Sequence, residues 1–182
     1  MIGLSLLLLL SVGLAFWSVM TSGPILTLPL LLGAIGVVLA VILLLRLRLR
    51  KRINWVVVDG SNVLYWENDE PTLYSVRLVV EKLVLDGFVP LLWFDANVGY
   101  LVAGHYMNPA KLSKALRYPA GRISVAPKGT PADPLVISDA ERLRALIVTN
   151  DRFRDWQERF PQVAQQDLFL RGGIRNKCVH LK

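Results

Sequence analysis

Two apolar runs open the chain. Roughly Ile2 to Met20 and Ile25 to Leu45 carry no Asp, Glu, Lys, Arg or His, and the polar Thr21-Ser22-Gly23-Pro24 separates them. A helix needs ~20 apolar residues to cross ~30 Å of hydrocarbon. The pattern therefore predicts a transmembrane helical hairpin over residues 1–45. Pro24 and Pro29 fall just before and within the first turn of the second helix, where a missing N–H is tolerated. Gly36 and Ala40 add a small-xxx-small spacing for close helix contact. The first run lacks a positively charged leader and a small-residue cleavage site, which argues against a cleaved signal peptide.

After Ile53 the pattern changes to short apolar runs alternating with helical periodicity. Trp55-Val56-Val57-Val58-Asp59 reads as a strand buried on both faces, ending in a carboxylate and the turn formers Gly60-Ser61-Asn62. Thr72 looks like the N-cap of a helix whose apolar positions are Leu73, Val76, Val79, Val80, Leu83 and Val84, closed by Asp86-Gly87. Phe88 to Asp95 is a second strand, again ending in a carboxylate. Asn108 or Pro109 opens a short helix through Arg117, and Arg122 to Ala126 is a third strand. Ala132 to Arg144 is a helix with Asp133 in its first turn. Leu146 to Thr149 is a strand running into Asn150-Asp151 and a short helix bearing Asp155. A last short strand, Asp167 to Leu170, leads to a tail over 171–177. Strand–helix alternation predicts an α/β fold, a parallel sheet with helices on both faces.

Charge refines this division. Five of the 21 basic residues are Arg46, Arg48, Arg50, Lys51 and Arg52, and every acid lies at or after Asp59. The net +7 is therefore mostly a basic flank over residues 46–53, and the rest is nearly balanced. A flank of this kind stays cytoplasmic and contacts anionic lipid. The expected organisation is a hairpin (1–45), a basic juxtamembrane linker (46–53) and a soluble domain (54–182). That places a multi-pass protein in the inner (cytoplasmic) membrane, touching lipid through residues 1–52, with its C-terminal domain in the cytoplasm. A homo-oligomer is a further expectation. The single cysteine, Cys178, excludes an intramolecular disulfide and a cysteine-based zinc cluster.

The candidate chemistry is carboxylate. Asp59, Asp95 and Asp151 stand at or beyond strand ends, and Asp133 opens a helix after one. Asp155 follows Asp151 by four, so on a helix both would face one way. In a parallel sheet all these ends share one rim, where ligands bind. Like charges raise one another's pKa, and a divalent cation relieves that. Hard oxygen donors suit Mg²⁺ or Mn²⁺, and only His105 and His180 are available as imidazole ligands. Such an ion activates water against a phosphodiester, with Asn62 placed to hold the water or a phosphate oxygen. Each acid alone has a plainer role: Asp59, Asp133 and Asp151 as helix caps, Asp95 as a strand terminator, Asp155 as a solvated residue.

Val56-Val57-Val58-Asp59-Gly60-Ser61-Asn62-Val63 resembles the first motif of the NYN domains, PIN-like ribonucleases, and is most similar to the Regnase (MCPIP) type. Lys128-Gly129-Thr130-Pro131-Ala132-Asp133 resembles that family's segment opening the helix with its central acid. Leu146-Ile147-Val148-Thr149-Asn150-Asp151-Arg152-Phe153-Arg154-Asp155 is similar to its most specific signature. The resemblance covers about Ile53 to Lys182. It implies a PIN-like three-layer fold and metal-dependent RNA cleavage. Asp59, Asp133 and Asp151 would carry Mg²⁺ or Mn²⁺, Asn62 and Asp155 would support the site, and Arg152 or Arg154 would face phosphate. The chain departs from the family at Ala132, where the Regnase type has an acid; Asp95 is a substitute ligand, and Asp155 a further one. The zinc finger of the animal proteins is missing too, so RNA would be held by another surface. Lys128, Arg152, Arg154, Arg171, Arg175 and Lys177 are the phosphate-contact candidates, against a simply solvated positive surface. Tyr65 and Trp66 are read as core or loop anchors, with base stacking as the alternative.

Two other functions compete. A phosphatase of the haloacid-dehalogenase type would use Asp59 as a nucleophile, but the residue two positions on, where that chemistry wants an acid, is Ser61. A non-catalytic RNA- or protein-binding module tethered to the membrane is the other, kept open by Ala132.

Overall fold

The computed structural model describes residues 13, 16, 17, 20, 28–49, 53–68 and 70–182. The chain divides into two units, Met1–Arg52 and Ile53–Lys182. In the first, α1 runs Leu28–Leu49, with side chains described for 33–46. Among the described residues no helix is long and apolar enough to cross a membrane. The structure thus does not support the transmembrane hairpin: α1 carries Arg46 and Arg48 in its last turn, and no second long helix stands among the described residues of this unit. The turn at residues 21–24, and the first run apart from Gly13, Phe16, Trp17 and Met20, lie outside the described residues.

In the second unit a five-stranded parallel sheet has the order β3-β2-β1-β4-β5. Its strands are β1 (Trp55–Asp59), β2 (Val89–Phe94), β3 (Ile123–Val125), β4 (Leu146–Val148) and β5 (Phe169–Leu170). β1 is central, and three consecutive valines explain why. Val56 and Val58 belong to a core on one face, with Val76, Val79, Val80, Leu83, Leu92, Phe94 and Leu112. Val57 belongs to a separate core on the other, with Val136, Ile137, Ala140, Ile147 and Phe153. All three valines are fully buried, each worth roughly 1.5–3 kcal/mol. A strand that feeds two cores carries no polar alternation.

Helices cover both faces. α2 (Gly60–Val63) is a single turn after β1. α3 (Leu73–Leu85) starts at Thr72, whose side chain accepts the Tyr74 N–H at 3.1 Å. α5 (Pro109–Leu116) starts at Asn108, which accepts the Lys111 N–H at 3.0 Å, with proline in its first turn. α6 (Asp133–Leu143) lies on the second core. α3, α5 and α6 agree with the sequence pattern to within a residue or two, while α2 forms where the pattern reads as a turn.

Four elements differ from expectation. α4 (Val98–Ala103) has no counterpart in the pattern; Gly99 lets its backbone lie against that of 105–107, where a Cβ would come 2.3 Å from the His105 carbonyl. The strand expected from Asp167 is only Phe169–Leu170, because 166–168 is a 3-10 turn. The short helix expected to bear Asp155 is a 3-10 turn, Arg154–Trp156, entered through Phe153 at φ 47°. Asp151 and Asp155 therefore do not share a helical face. Finally, the tail is an antiparallel hairpin, β6 (Gly172–Arg175) and β7 (Cys178–Leu181). Its Asn176 and Lys177 both have positive φ (51° and 62°), as a tight two-residue turn matching strand twist requires.

Candidate active site

Asp59 pairs opposite Trp93 and Val58 opposite Val148, so β1, β2 and β4 end along one rim. Asp59 closes β1, Asp95 follows β2 and Thr149 follows β4. The chain builds outward from β1 to β2 and β3 on one side and to β4 and β5 on the other. The β1–β4 crevice is therefore a topological switch point, the usual ligand position in such sheets.

Asp59 is only 4 % exposed. One carboxylate oxygen accepts the Asn62 N–H at 3.1 Å and the other accepts the Thr149 hydroxyl at 2.9 Å. It does cap α2, as the plainer alternative had it. A cap alone does not explain its burial. Desolvation pushes its pKa to about 7; the bonds from Asn62 and Thr149 oppose the rise, and the charges of Asp133 and Asp95 add to it. Asp133, at the start of α6, is half-buried and its pKa is also raised. Desolvation is the main cause, offset by the Trp156 indole N–H at 3.1 Å, with Asp151 and Asp95 pushing further upward.

Asp95 is tied at both ends: its N–H donates to the Ser61 hydroxyl at 2.9 Å and its carboxylate accepts the Ala132 N–H at 3.0 Å. Ala132 itself is buried. The acid on the neighbouring strand thus holds the residue that stands where the Regnase type has an acid. Asp151 accepts N–H groups of Arg152 and Phe153, the latter at 2.9 Å, and donates its own N–H to the Thr149 hydroxyl at 3.1 Å. Asp59 thus feels the charges of Asp133 and Asp95, and Asp133 those of Asp151 and Asp95. Among the described residues the ion pairs are Arg77–Glu81, Lys82–Asp86 and Arg142–Asp139, none of which takes in these four. Asp155 sits exposed on its turn and is not among the charges bearing on Asp59 or Asp133.

Asn62 accepts two N–H groups, the Trp66 indole at 2.9 Å and the Asn150 backbone at 3.0 Å. It bridges the first and last motifs across 88 residues. Of the basic candidates, Arg152, Arg154 and Arg171 line one cavity, Arg175 lines a second and Lys128 a third. Lys177 is exposed on the hairpin turn. His105 bonds the Ala103 carbonyl at 2.9 Å. Sequence reasoning gives no site role to Thr149, Trp156, Asn150 or Ser61. Thr149 and Asn150 carry a signal, their place at a strand end beside Asp151; Trp156 and Ser61 carry none.

Among the described residues no group of three or more His, Cys, Asp or Glu is placed to hold a metal ion. What the site shows is repulsion bearing on Asp59 and Asp133 from the neighbouring acids, with no ion pair among the described residues to relieve it.

No curated protein matches the sequence. Solved structures that share the fold include two of one protein. Arabidopsis thaliana nuclear protein-only RNase P 2 (PRORP2) aligns with TM-score 0.54 and 17% identity over 82% of this chain and 33% of its own. A crystal structure of nuclear proteinaceous RNase P 2 (PRORP2) from A. thaliana aligns at 0.54 and 20%, over 81% and 34%. The chain spans about a third of the length of those proteins. Residues 52–169, more than half the sequence, match the family described as Zc3h12a-like Ribonuclease NYN domain. With that match over the whole rim of acids, the chain belongs to the Zc3h12a-like ribonuclease NYN domain family.

Proposed function

We propose that this protein is a metal-dependent ribonuclease hydrolysing RNA phosphodiester bonds, with Asp59, Asp133 and Asp151 as its metal-binding acids. The observation that carries the proposal is the un-neutralised carboxylate set around Asp59 at the β1–β4 crevice. The donor chemistry fits Mg²⁺ or Mn²⁺: hard oxygens, crowded negative charge, and one buried acid that ionises only reluctantly. Such an ion commonly binds through one or two carboxylates, retained waters and substrate phosphate, so three tightly gathered ligands are not required. Asp95 is a further ligand in place of the missing acid at Ala132.

A bound Mg²⁺ or Mn²⁺ supplies Lewis acidity and a more acidic water. The protein's own groups do the rest. Asn62 and Thr149 hold Asp59 and the Asn150–Asp151 segment in register. Arg152, Arg154, Arg171, Arg175, Lys177 and Lys128 offer charge to the RNA backbone. Membrane attachment through residues 1–52, with the NYN domain in the cytoplasm, rests on the sequence: no ionisable side chain precedes Arg46, and a basic cluster follows.

The test is cleavage of single-stranded RNA with Mn²⁺ or Mg²⁺ by wild type and by Asp59→Asn, Asp133→Asn and Asp151→Asn, with chelator as control. Wild-type activity lost in all three folded variants supports the assignment. Unchanged cleavage by Asp151→Asn refutes its role. The buried Ala132 favours one second possibility, a non-catalytic RNA-binding module. RNA retained with no cleavage by wild type would select it.

A further inference from the structure

We propose that the β6–β7 hairpin and Trp66 form a pocket for an unpaired nucleotide of single-stranded RNA beside the carboxylate cluster. This rests on the ribonuclease assignment above and names where the substrate strand is held. A cavity of about 500 Å³ lies against the hairpin, lined by Trp66, Gly173, Ile174, Arg175, His180 and Lys182 among others. That is the size range of small-molecule sites. After Asp167 the chain has no acid, while Arg171, Arg175, Lys177 and Lys182 supply four cations. Of these, Arg175 and Lys182 line the cavity, and a cationic lining suits a polyanion.

The pocket is wired to the site. The Ile174 N–H donates to the Trp66 carbonyl at 3.2 Å, and the Trp66 indole donates to Asn62. The Asn150 side chain holds both backbone groups of Gly172, at 2.8 and 3.1 Å, and Arg171 donates to the Asn150 carbonyl at 2.9 Å. Arg171 also lines the cavity that Arg152 and Arg154 share, so cationic lining continues from the hairpin to the residues next to Asp151.

The two glycines of β6 do different things. At Gly172 a Cβ would come 2.2 Å from the His180 carbonyl; that glycine lets the hairpin close. At Gly173 a Cβ would meet only the Trp66 carbonyl, at 4.0 Å. The missing side chain there leaves the pocket open without being needed for packing. A concave space lined by Gly172, Gly173 and the largely buried Trp66 takes a base that is not already paired, which favours a single strand over a duplex.

The experiment uses the full chain carrying Asp151→Asn, so that RNA is bound and not cut. Fluorescence anisotropy measures a labelled single-stranded oligonucleotide and the same sequence as a duplex. Gly173→Leu fills the pocket without changing charge; Arg175→Glu reverses charge at its edge; Lys114→Glu, on α5, is the matched charge control. Weakening of single-strand binding by about tenfold in the first two, with little change in the control and a smaller effect on duplex, supports the pocket. Single-strand binding equal to the parent in both variants overturns it. So does a parent that binds no single strand. Loss of binding to phosphatidylglycerol vesicles with RNA binding unchanged overturns it in favour of a lipid contact. In the Asp151 wild-type background, cleavage untouched by Gly173→Leu and Arg175→Glu removes the pocket and leaves the nuclease. Absent cleavage with pocket-dependent RNA binding removes the nuclease and leaves the pocket.

Discussion

Replacing Asp59 by Asn in metal-free protein tests the electrostatics most directly. The folded-state pKa is about 7 against an ordinary 3.8. The native state therefore holds this proton more tightly than the unfolded chain does. The Asp59 contribution to stability is greatest below pH 3.8, falls as pH rises, and is fully lost once pH passes about 7. A shift of this size amounts to roughly 4 kcal/mol, at about 1.4 kcal/mol per pKa unit. The Asp59→Asn change removes that penalty but loses one good hydrogen bond: with the new amide NH2 facing it, the Thr149 O–H no longer has its carboxylate acceptor. That loss is about 1 kcal/mol. The expected net gain near pH 8 is roughly 3 kcal/mol in chelator. Near pH 5, where wild type is largely protonated in the fold, the advantage shrinks by about 2–3 kcal/mol. The assay is urea unfolding of both proteins at the two pH values, followed by tryptophan fluorescence. The pH-dependent part is the sharper readout, because the hydrogen-bond loss cancels from it. An Asp59→Asn protein whose stability relative to wild type is the same at both pH values refutes the strained-carboxylate account.

Thr149→Val should raise the Asp59 pKa further and destabilise the metal-free protein near pH 8 by about 1–2 kcal/mol, an effect that fades at acid pH; urea melts across pH read it. Asn62→Ala leaves the Trp66 indole and the Asn150 N–H without their acceptor, and should cost about 2 kcal/mol and speed hydrogen exchange at Asn150. Gly60→Ala places a Cβ 2.4 Å from the ring of the fully buried Phe94, which should cost about 1–3 kcal/mol in thermal or urea unfolding. Ala132→Asp restores an acid beside Asp95 at a buried position, so metal-free stability should fall by about 2 kcal/mol or more, with the deficit narrowing on adding Mn²⁺.

The sequence alone carried the strand–helix alternation and the local starts of its helices. Thr72 and Asn108–Pro109 cap helices because the capping side chain reaches only two or three residues along the chain. The triple valine at 56–58 announced a strand buried on both faces, since no polar residue interrupts it. The acids at strand ends were legible for the same reason: the end of a strand is a local event. The strand order was decided by tertiary structure. Parallel pairing of β1 with both β2 and β4 sets the Thr149 hydroxyl on Asp59 across 90 residues. Folding α6 over the second core sets Trp156 on Asp133. No pattern within one segment encodes either contact, because each depends on how two separate apolar faces share a core. The 171–181 tail shows the limit most plainly. Its glycines and basic residues look like a polar terminus, and it becomes a hairpin because Trp66 and Asn150, both remote in sequence, supply its backbone partners. The helical turn expected at Asp155 failed for the converse reason. Phe153 is buried against Phe169 in the second core at a φ of 47°, so Asp151 lies outside the 3-10 turn Arg154–Trp156 that carries Asp155, a separation set by tertiary packing and not by local pattern.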